Sequence, residues 1–229
     1  MNHERSSEEI IKKVRLLADR AIANSQPTAW FERLYSEAKG NENHVPWAKS
    51  RPHPYLVNWL TKSKKNGNRN YSAIVIGCGL GDDAEAIAKC GYEVTAFDIS
   101  ATAIDWCNKR FPDSEVNYLV ADLLSLDPAW YGKFDFVFES RTIQALPIYL
   151  RSDLTAAIAK LVADRGTLLV ITRYRDTSFE PDGPPWPLSE LELSEFKQLG
   201  LLEVSRDLFF EPGTESIKQL RIEYIKDNK

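Results

Sequence analysis

The sequence of 229 residues predicts an α/β fold with a mostly parallel sheet and helices on both of its faces. Residues 73–98 give the order strand, glycine-rich turn, helix, strand and acid, which is typical of one nucleotide-binding βαβ half. Strand-like runs and helical patterns continue to alternate up to the helix that follows Ser189. The last two strand-like runs, residues 201–210 and 217–225, are joined only by EPGTES, so we expect an antiparallel hairpin.

A helical extension precedes this fold. Apolar residues at helical spacing predict a first helix that begins at Ser6 and ends before Pro27, and a second short helix follows it. The next segment, HVPWAKSRPHPYLVNWL, is rich in aromatic residues and proline and ends in a third predicted helix. We therefore predict three parts of the chain: an N-terminal helical extension (residues 1–62), a linker (63–71) and the main domain (72–229).

The predicted ligand site lies in the stretch AIVIGCGLGDDAEAIAKCGYEVTAFDIS, which starts at residue 73. Gly77, Gly79 and Gly81 follow the first strand at alternate positions. Glycine lets the chain turn tightly and lets a ligand approach the backbone N–H groups. The second strand ends on Asp98, 17 residues after Gly81. A carboxylate at that distance can accept hydrogen bonds from ribose hydroxyls.

The glycine spacing separates two classes of ligand. A dinucleotide-binding turn has the pattern G-x-G-x-x-G, whereas this turn has G-x-G-x-G and is followed by Asp82 and Asp83. At the start of a helix these carboxylates would repel a pyrophosphate, but not a ligand with an ammonium and a sulfonium. The stretch, with its run VTAFDIS, resembles motif I and the strand-two acid of the class I S-adenosylmethionine-dependent methyltransferases.

This resemblance implies a Rossmann-like sheet of seven strands, mostly parallel with an antiparallel last strand, and S-adenosylmethionine as the cofactor. It also implies that the donor is bound by the glycine turn, the end of strand two, an acid after strand three and the end of strand four. The residues at those places are Gly77, Cys78, Gly79, Gly81, Asp98, Ile99, Ser100, Ala121, Asp122, Leu123 and Glu139.

The N-terminal segment resembles that of the thiopurine and thiol/halide methyltransferase group. The residues that support this resemblance are Trp30, Tyr35, the pair Pro46-Trp47 and the prolines that follow, together with the later run GPPWPLS. In that group the segment closes over the methyl donor. The resemblance therefore implies a helical lid in which Trp30 and Trp47 contact the donor. The alternative is that these rings only pack the N-terminal helices onto the edge of the sheet.

The predicted acceptor site follows strands four and five, because ligands of open α/β sheets bind beyond the carboxyl ends of the strands. The segment ESRTIQALP resembles motif IV, where donor and acceptor meet, and it makes Glu139 and Arg141 the predicted catalytic residues. Arg173, Tyr174 and Trp186 are predicted substrate contacts. The alternatives are that the arginines are solvated loop charges and that the proline-rich loop with Trp186 is a rigid connector.

The sequence shows no clear general base, since no histidine lies near these segments along the chain. A thiol, with a pKa of about 8.5, needs little help to lose its proton, whereas an alcohol or amine needs more. We therefore predict a thiol or another soft acceptor. The alternatives are an O- or N-methyltransferase with Glu139 as base and a non-catalytic donor-binding module. A nicotinamide dehydrogenase is disfavoured by the glycine spacing and the final hairpin.

Composition limits the partners. The net charge of −4 argues against nucleic acid, and no apolar run approaches the ~20 residues of a membrane helix. The start of the chain has no apolar signal segment, and the three cysteines lack metal-ligand spacing. We therefore expect a cytoplasmic protein with reduced thiols and no metal. It would act on a small-molecule methyl acceptor as a monomer or weak dimer.

Overall fold

The computed structural model describes residues 2–63, 71–177, 179–211 and 214–227, and the side chains of residues 9–63, 71–177, 179–210 and 217–227. The helices of the described residues are α1 (Asn2–Ala23), α2 (Ala29–Ala38), α3 (Pro54–Lys62), α4 (Asp82–Ala88), α5 (Ala101–Arg110), α6 (Arg151–Leu161) and α7 (Glu190–Gln198). The strands are β1 (Tyr71–Ile76), β2 (Tyr92–Asp98), β3 (Asn117–Val120), β4 (Phe134–Ser140), β5 (Val162–Arg173), β6 (Leu201–Glu211) and β7 (Thr214–Lys226).

The strands form one sheet in the order β3-β2-β1-β4-β5-β7-β6. Strands β1 to β5 are parallel, and β7 is antiparallel to both β5 and β6. The predicted mostly parallel sheet with a closing antiparallel hairpin is therefore confirmed. The strand order reverses between β1 and β4, and such a switch point opens a crevice at the carboxyl ends of the strands.

Helices cover both faces of the sheet. Alternate residues of β1 face opposite ways, as the period of a strand requires. Val75 packs with α3 and α4 on one face, and Ile76 packs with α6 and α7 on the other. On the first face, the ring of Trp59 in α3 stacks on Phe136 of β4, with centroids 4.7 Å apart. This contact makes α3 part of a layer on the sheet.

Helices α1 and α2 have a small core of their own, which contains Val14, Leu17 and Leu34. The predicted division into extension, linker and main domain stays a prediction, since residues 64–70 of the linker lie outside the described residues. No helix in the described parts of the chain is both long and apolar enough for a membrane span.

Two predicted boundaries are wrong. Helix α1 begins at Asn2 rather than Ser6, because the residues between them contain no helix breaker. Strand β5 begins at Val162 rather than after Gly166, because its first residue pairs with Phe134 ahead of a shift in register. A Cβ on Gly166 would lie only 2.7 Å from the carbonyl oxygen of Ala163, so the glycine permits this irregularity inside the strand.

Candidate active site

The glycine turn between β1 and α4 is tightly enclosed. Gly77, Gly79 and Gly81 have φ angles of 58°, 54° and 87°, in the left-handed region that favours glycine. A Cβ on Gly77 would lie 2.5 Å from Oγ1 of Thr142, and a Cβ on Gly81 would lie 2.6 Å from the hydroxyl oxygen of Tyr118. Both positions therefore need glycine for space as well as for backbone conformation.

The turn's own N–H groups are already bonded within the fold. Cys78 N donates to the carbonyl of Phe97 at 2.9 Å, and Gly81 N donates to the carbonyl of Cys78 at 3.0 Å. Gly79 N donates to Oδ2 of Asp98 at 2.9 Å. The expectation that these N–H groups are open to a ligand is therefore wrong for all three residues. A turn with these donors engaged lacks the free donors that a pyrophosphate needs.

Asp98 connects the end of β2 to the glycine turn. Its side chain is 7% exposed, and its Oδ1 accepts a hydrogen bond from Ser100 N at 2.9 Å. Burial raises the pKa of Asp98 to about 6, against the opposing effect of the N–H donors. Because each carboxylate oxygen has two lone pairs, both oxygens can accept a further hydrogen bond. This geometry suits the predicted role of Asp98 with ribose hydroxyls.

The two acids that begin α4 are engaged by other parts of the chain. Arg110 binds both oxygens of Asp82, with each N–O distance 2.9 Å. The Oδ1 of Asp83 accepts from His53 N at 2.6 Å, and burial raises the pKa of Asp83 to about 6. The predicted repulsion of a pyrophosphate by Asp82 is therefore weakened. The argument against a dinucleotide rests instead on the glycine spacing and the bonded N–H groups.

Helix α2 lies against the glycine turn. Tyr35 is fully buried, and its hydroxyl oxygen is 3.2 Å from where a Cβ on Gly79 would lie. Trp47 Nε1 donates to that hydroxyl at 2.7 Å. Trp30 is buried in the core of the extension and stacks on Phe31 with centroids 3.9 Å apart. Of the two tryptophans predicted as lid residues, Trp47 thus reaches the turn through Tyr35, and donor contact by either stays a prediction.

Glu32 fastens α2 to the start of α5. Its carboxylate accepts from Ser100 Oγ at 2.7 Å, from Thr102 N at 3.1 Å and from Thr102 Oγ1. Burial opposes ionisation, but the hydrogen bonds from Thr102 and Ser100 lower the pKa of Glu32. A carboxylate at a helix N-terminus is also favoured by the helix dipole. Sequence reasoning missed Glu32, because no local pattern links it to a helix almost seventy residues later.

The loop after β3 lies beside Asp98. Val120 pairs with Asp98 across the sheet, and Ala121 N donates to the Asp98 carbonyl at 3.1 Å. Asp122 caps a short 3₁₀ turn that begins at Leu123, and its Oδ1 accepts from Leu124 N at 2.9 Å. The structure therefore brings the two predicted donor-binding acids to one edge of the sheet.

Glu139, at the end of β4, is fully buried. Its Oε1 accepts from Thr142 N at 2.7 Å and from Ile143 N at 3.0 Å, which shapes the turn after the strand. Its Oε2 has no hydrogen-bond partner among the described residues. Burial raises the pKa of Glu139 to about 7. Thr142 Oγ1 also donates to the carbonyl of Ile76 at 3.2 Å, so this turn contacts the start of the glycine turn.

Arg141 follows in a left-handed conformation, with φ at 66°. Its N–H donates to the carbonyl of Ile171 and its Nη2 to Oε1 of Gln219, both at 3.0 Å. Burial and the charge of Arg141 lower the pKa of His53 to about 3. No histidine lies near this segment along the chain, but His53 lies near it in the fold. His53 caps α3, and the packing of α3 on the sheet brings it close.

The proline-rich loop is anchored to the ends of β4 and β5. Trp186 N donates to the carbonyl of Gln144 at 2.7 Å, and Arg173 N donates to the side chain of the same glutamine. Tyr174 forms a bridge with Leu188. These contacts bring the three predicted substrate residues together. Trp186 also lines a cavity of about 410 Å³ that opens between α1 and this loop.

Two arginines, the buried Arg151 and the partly buried Arg175, hold this loop to α7 through Glu192. Arg151 Nε and Arg175 Nη1 each lie 2.9 Å from a different oxygen of that carboxylate. Arg151 Nη2 also donates to the carbonyl of Trp186 at 2.5 Å. The side chain of Arg175 is therefore engaged within the fold. Among the described residues, no cluster of three or more His, Cys, Asp or Glu side chains could bind a metal ion.

Comparison with known proteins gives the family. A model of the thiopurine S-methyltransferase family matches residues 36–218. "Probable thiol methyltransferase 2" of Arabidopsis thaliana is 30% identical in an alignment of 181 residues that covers 74% of this chain and 75% of that protein. A thiopurine S-methyltransferase of Shewanella pealeana is 27% identical in an alignment of 183 residues that covers 72% of this chain and 78% of that protein.

Solved structures share the fold. The N-methyltransferase NodS of Bradyrhizobium japonicum has a TM-score of 0.68 at 18% identity, and the match covers 86% of this chain and 100% of that chain. At this identity the likeness shows the fold alone. By the match of its family model, this chain belongs to the thiopurine S-methyltransferase family. It is an S-adenosylmethionine-dependent methyltransferase, and the predicted family and cofactor are confirmed.

The enclosure of the glycine turn can be tested with a matched pair of substitutions. Gly81 and Gly91 have nearly equal φ angles, 87° and 85°, but a Cβ on Gly91 would meet nothing within 4 Å. Gly91→Ala should cost about 1 kcal/mol of unfolding free energy from backbone strain alone. Gly81→Ala should cost at least ~1 kcal/mol more, because Tyr118 must move. Urea denaturation measures both, and equal losses would contradict the enclosure.

Glu139→Gln should change the pH dependence of stability. The folded pKa of about 7 lies above the ordinary 4.5, so the folded protein holds this proton more tightly than the unfolded chain. The resulting stabilisation is therefore lost as pH rises from about 4.5 to about 7. Gln cannot ionise, so the stability of the variant relative to wild type should rise by ~2–3 kcal/mol between about pH 5 and pH 8. Parallel stability curves would contradict this prediction.

Proposed function

From this family membership we propose that the chain transfers the methyl group of S-adenosylmethionine to a thiol or another soft small-molecule acceptor. The observation that carries the choice of acceptor is the burial of Glu139, the carboxylate within the segment where the acceptor is expected. One of its oxygens accepts two backbone hydrogen bonds and the other is sealed from solvent. A thiol that ionises in water needs no such base.

The proposed donor site lies along the carboxyl ends of β1, β2 and β3. Asp98 would accept hydrogen bonds from ribose hydroxyls, and Asp122 would accept one from the adenine amino group. The turn with Gly77, Cys78, Gly79 and Gly81, the neighbouring residues Ile99, Ser100, Ala121 and Leu123, and the end of β4 at Glu139 would complete the walls. Trp30 and Trp47 would lie in the roof with Tyr35.

The residues at this site fit a donor of that kind. The three glycines let the side chains of Thr142, Tyr35 and Tyr118 pack directly against the turn, which makes it a compact wall for the proposed donor. The neighbouring acids Asp98 and Asp83 suit a ligand with an ammonium and a sulfonium, and a phosphate-binding set of free N–H groups is lacking among Cys78, Gly79 and Gly81. When bound, S-adenosylmethionine supplies a methyl group that its sulfonium has already activated. The protein's task is then to align the acceptor and exclude water.

The proposed acceptor site lies beyond β4 and β5. Arg141 and Arg173 give this side a positive charge that favours a thiolate over a neutral thiol. Tyr174 and Trp186 would supply the wall, since Trp186 is anchored to the segment after β4 by its N–H. Both named relatives add support, because the name of each refers to a sulfur acceptor.

A second candidate function is O- or N-methylation with Glu139 as general base. Its support is the pKa of Glu139, which burial raises to about 7. A base works best when its pKa lies near the operating pH. In this candidate the unpartnered Oε2 would take the proton of an alcohol or amine.

Donor binding should depend on both acids. Asp98→Ala and Asp122→Ala should each weaken S-adenosylmethionine binding, and S-adenosylhomocysteine binding, by about tenfold or more, since each removes a hydrogen bond to a carboxylate. Isothermal titration measures the two dissociation constants.

Asp127→Ala is the matched control for Asp122. Asp127 caps a neighbouring 3₁₀ turn in the same way, accepting from Ala129 N at 2.8 Å, and it lies outside the proposed site. It should bind the donor as wild type does. Equal loss of affinity in both cap variants would assign the effect of Asp122→Ala to the loss of a cap.

Turnover by Glu139→Gln separates the two candidate functions. Wild type should methylate small thiols such as 2-mercaptoethanol, and Glu139→Gln should keep the thiol turnover number within about threefold, because a thiolate needs no base. The assay measures S-adenosylhomocysteine formed at fixed pH. A loss of about a hundredfold or more with donor binding unchanged would favour the general-base candidate. No turnover of any thiol by wild type would reject the thiol proposal.

A further inference from the structure

Gln144 has a side chain whose orientation the fold determines. The residue is 4% exposed and belongs to the short 3₁₀ turn Ile143–Ala145 that follows β4. Two groups at the end of β5 point at its side chain: Arg173 N donates to Oε1 at 2.6 Å, and Thr172 Oγ1 lies 3.1 Å from the same oxygen. A backbone N–H can only donate, so Oε1 must be the carbonyl oxygen of the amide.

The other end of the amide is therefore an NH₂ group, Nε2. No described residue accepts a hydrogen bond from it. Nε2 is also absent from the polar atoms of the described chain that are both sealed from solvent and unpartnered. The Gln144 side chain is almost wholly buried, but its NH₂ group remains accessible and has no acceptor among the described residues. A donor that is accessible, held in one orientation and without a partner among the described residues is available to a ligand or to water.

The position of Gln144 points to the acceptor rather than the donor. Its backbone carbonyl accepts from Trp186 N at 2.7 Å, and its side chain accepts from the N–H of Arg173, the last residue of β5. Trp186 and Arg173 both belong to the proposed acceptor site. The proposed ribose and adenine contacts follow β2 and β3, which lie on the other side of β1 in the sheet.

We propose that Nε2 of Gln144 donates a hydrogen bond to the acceptor sulfur in its thiolate form. This inference rests on the proposed thiol acceptor. A donor aimed at an anion stabilises the charged form, so the bound thiol ionises at lower pH. The same hydrogen bond fixes one lone pair of the sulfur and leaves another directed at the donor methyl, which is the alignment that in-line transfer requires.

Gln144→Glu tests this role with little change in shape. The carboxylate keeps an oxygen for Thr172 and Arg173 N, but it replaces the NH₂ donor with a second, charged oxygen. We expect the turnover number for 2-mercaptoethanol to fall about tenfold to a hundredfold, the range for a lost hydrogen bond to a charged group. The midpoint of the rise of kcat with pH should also move to higher pH, because the bound thiol ionises less readily. The melting temperature and the donor dissociation constant should stay close to wild type.

Thr172→Val is the control for a purely structural role. It removes one group bonded to Oε1 and leaves Nε2 in place. It should lower the melting temperature without moving the midpoint of the kcat profile. An unchanged kcat profile in Gln144→Glu would overturn the inference, as would a large loss of donor affinity, which would assign the amide to the donor. Wild type that methylates no thiol would overturn the proposed function itself, and this inference with it.

Discussion

The hydrogen bond from Gly79 N to the carboxylate of Asp98 is the contact on which the predicted site depends. It ties the glycine turn after β1 to the end of β2. The same carboxylate accepts from Ser100 N, and Ser100 Oγ in turn donates to Glu32 on α2. Helix α2 then returns to the turn through Tyr35. Helix α2 therefore contacts the glycine turn both through Asp98 and directly through Tyr35. A shift of α2 would disturb the backbone of this turn, which the proposed donor touches.

Buried polar groups organise the other half of the site. Glu192 lies between Arg151 and Arg175, and each arginine also donates to a loop carbonyl. Removing two charges from water costs several kcal/mol per ion, so such a network adds little stability and serves to fix geometry. Here it holds the loop with Trp186 against the turn after β4. Glu139 has the same effect within that turn, since one of its oxygens gathers two N–H groups.

Local signals in the sequence predicted the helices and strands better than the contacts between them. Ser100 and Ser189 each cap a helix as their positions predict, because capping involves only residues three apart. The contacts of Glu32 with α5 and of His53 with the segment after β4 join residues far apart in the chain, and no spacing rule reaches them. The role of Gln144 was hidden for another reason. The sequence does not show which end of the Gln144 amide is engaged. That becomes clear only in the fold, where Thr172 and Arg173 of β5 contact its Oε1.

In the proposed reaction, a thiolate acceptor would lie among the charges around the end of β4. Asp98 lies on the proposed donor side and Arg173 on the proposed acceptor side, and Arg141 lies close enough to Asp83 for its charge to oppose the rise in the pKa of that acid. Methyl transfer from a sulfonium to a thiolate joins a cation and an anion and leaves two neutral products. Opposite charges attract more strongly in a buried site of low dielectric than in water, so enclosure draws these two reactants together. Transfer to a neutral amine moves a positive charge without cancelling it. In the proposed reaction, an enclosed site would therefore suit a thiolate better than a neutral nucleophile.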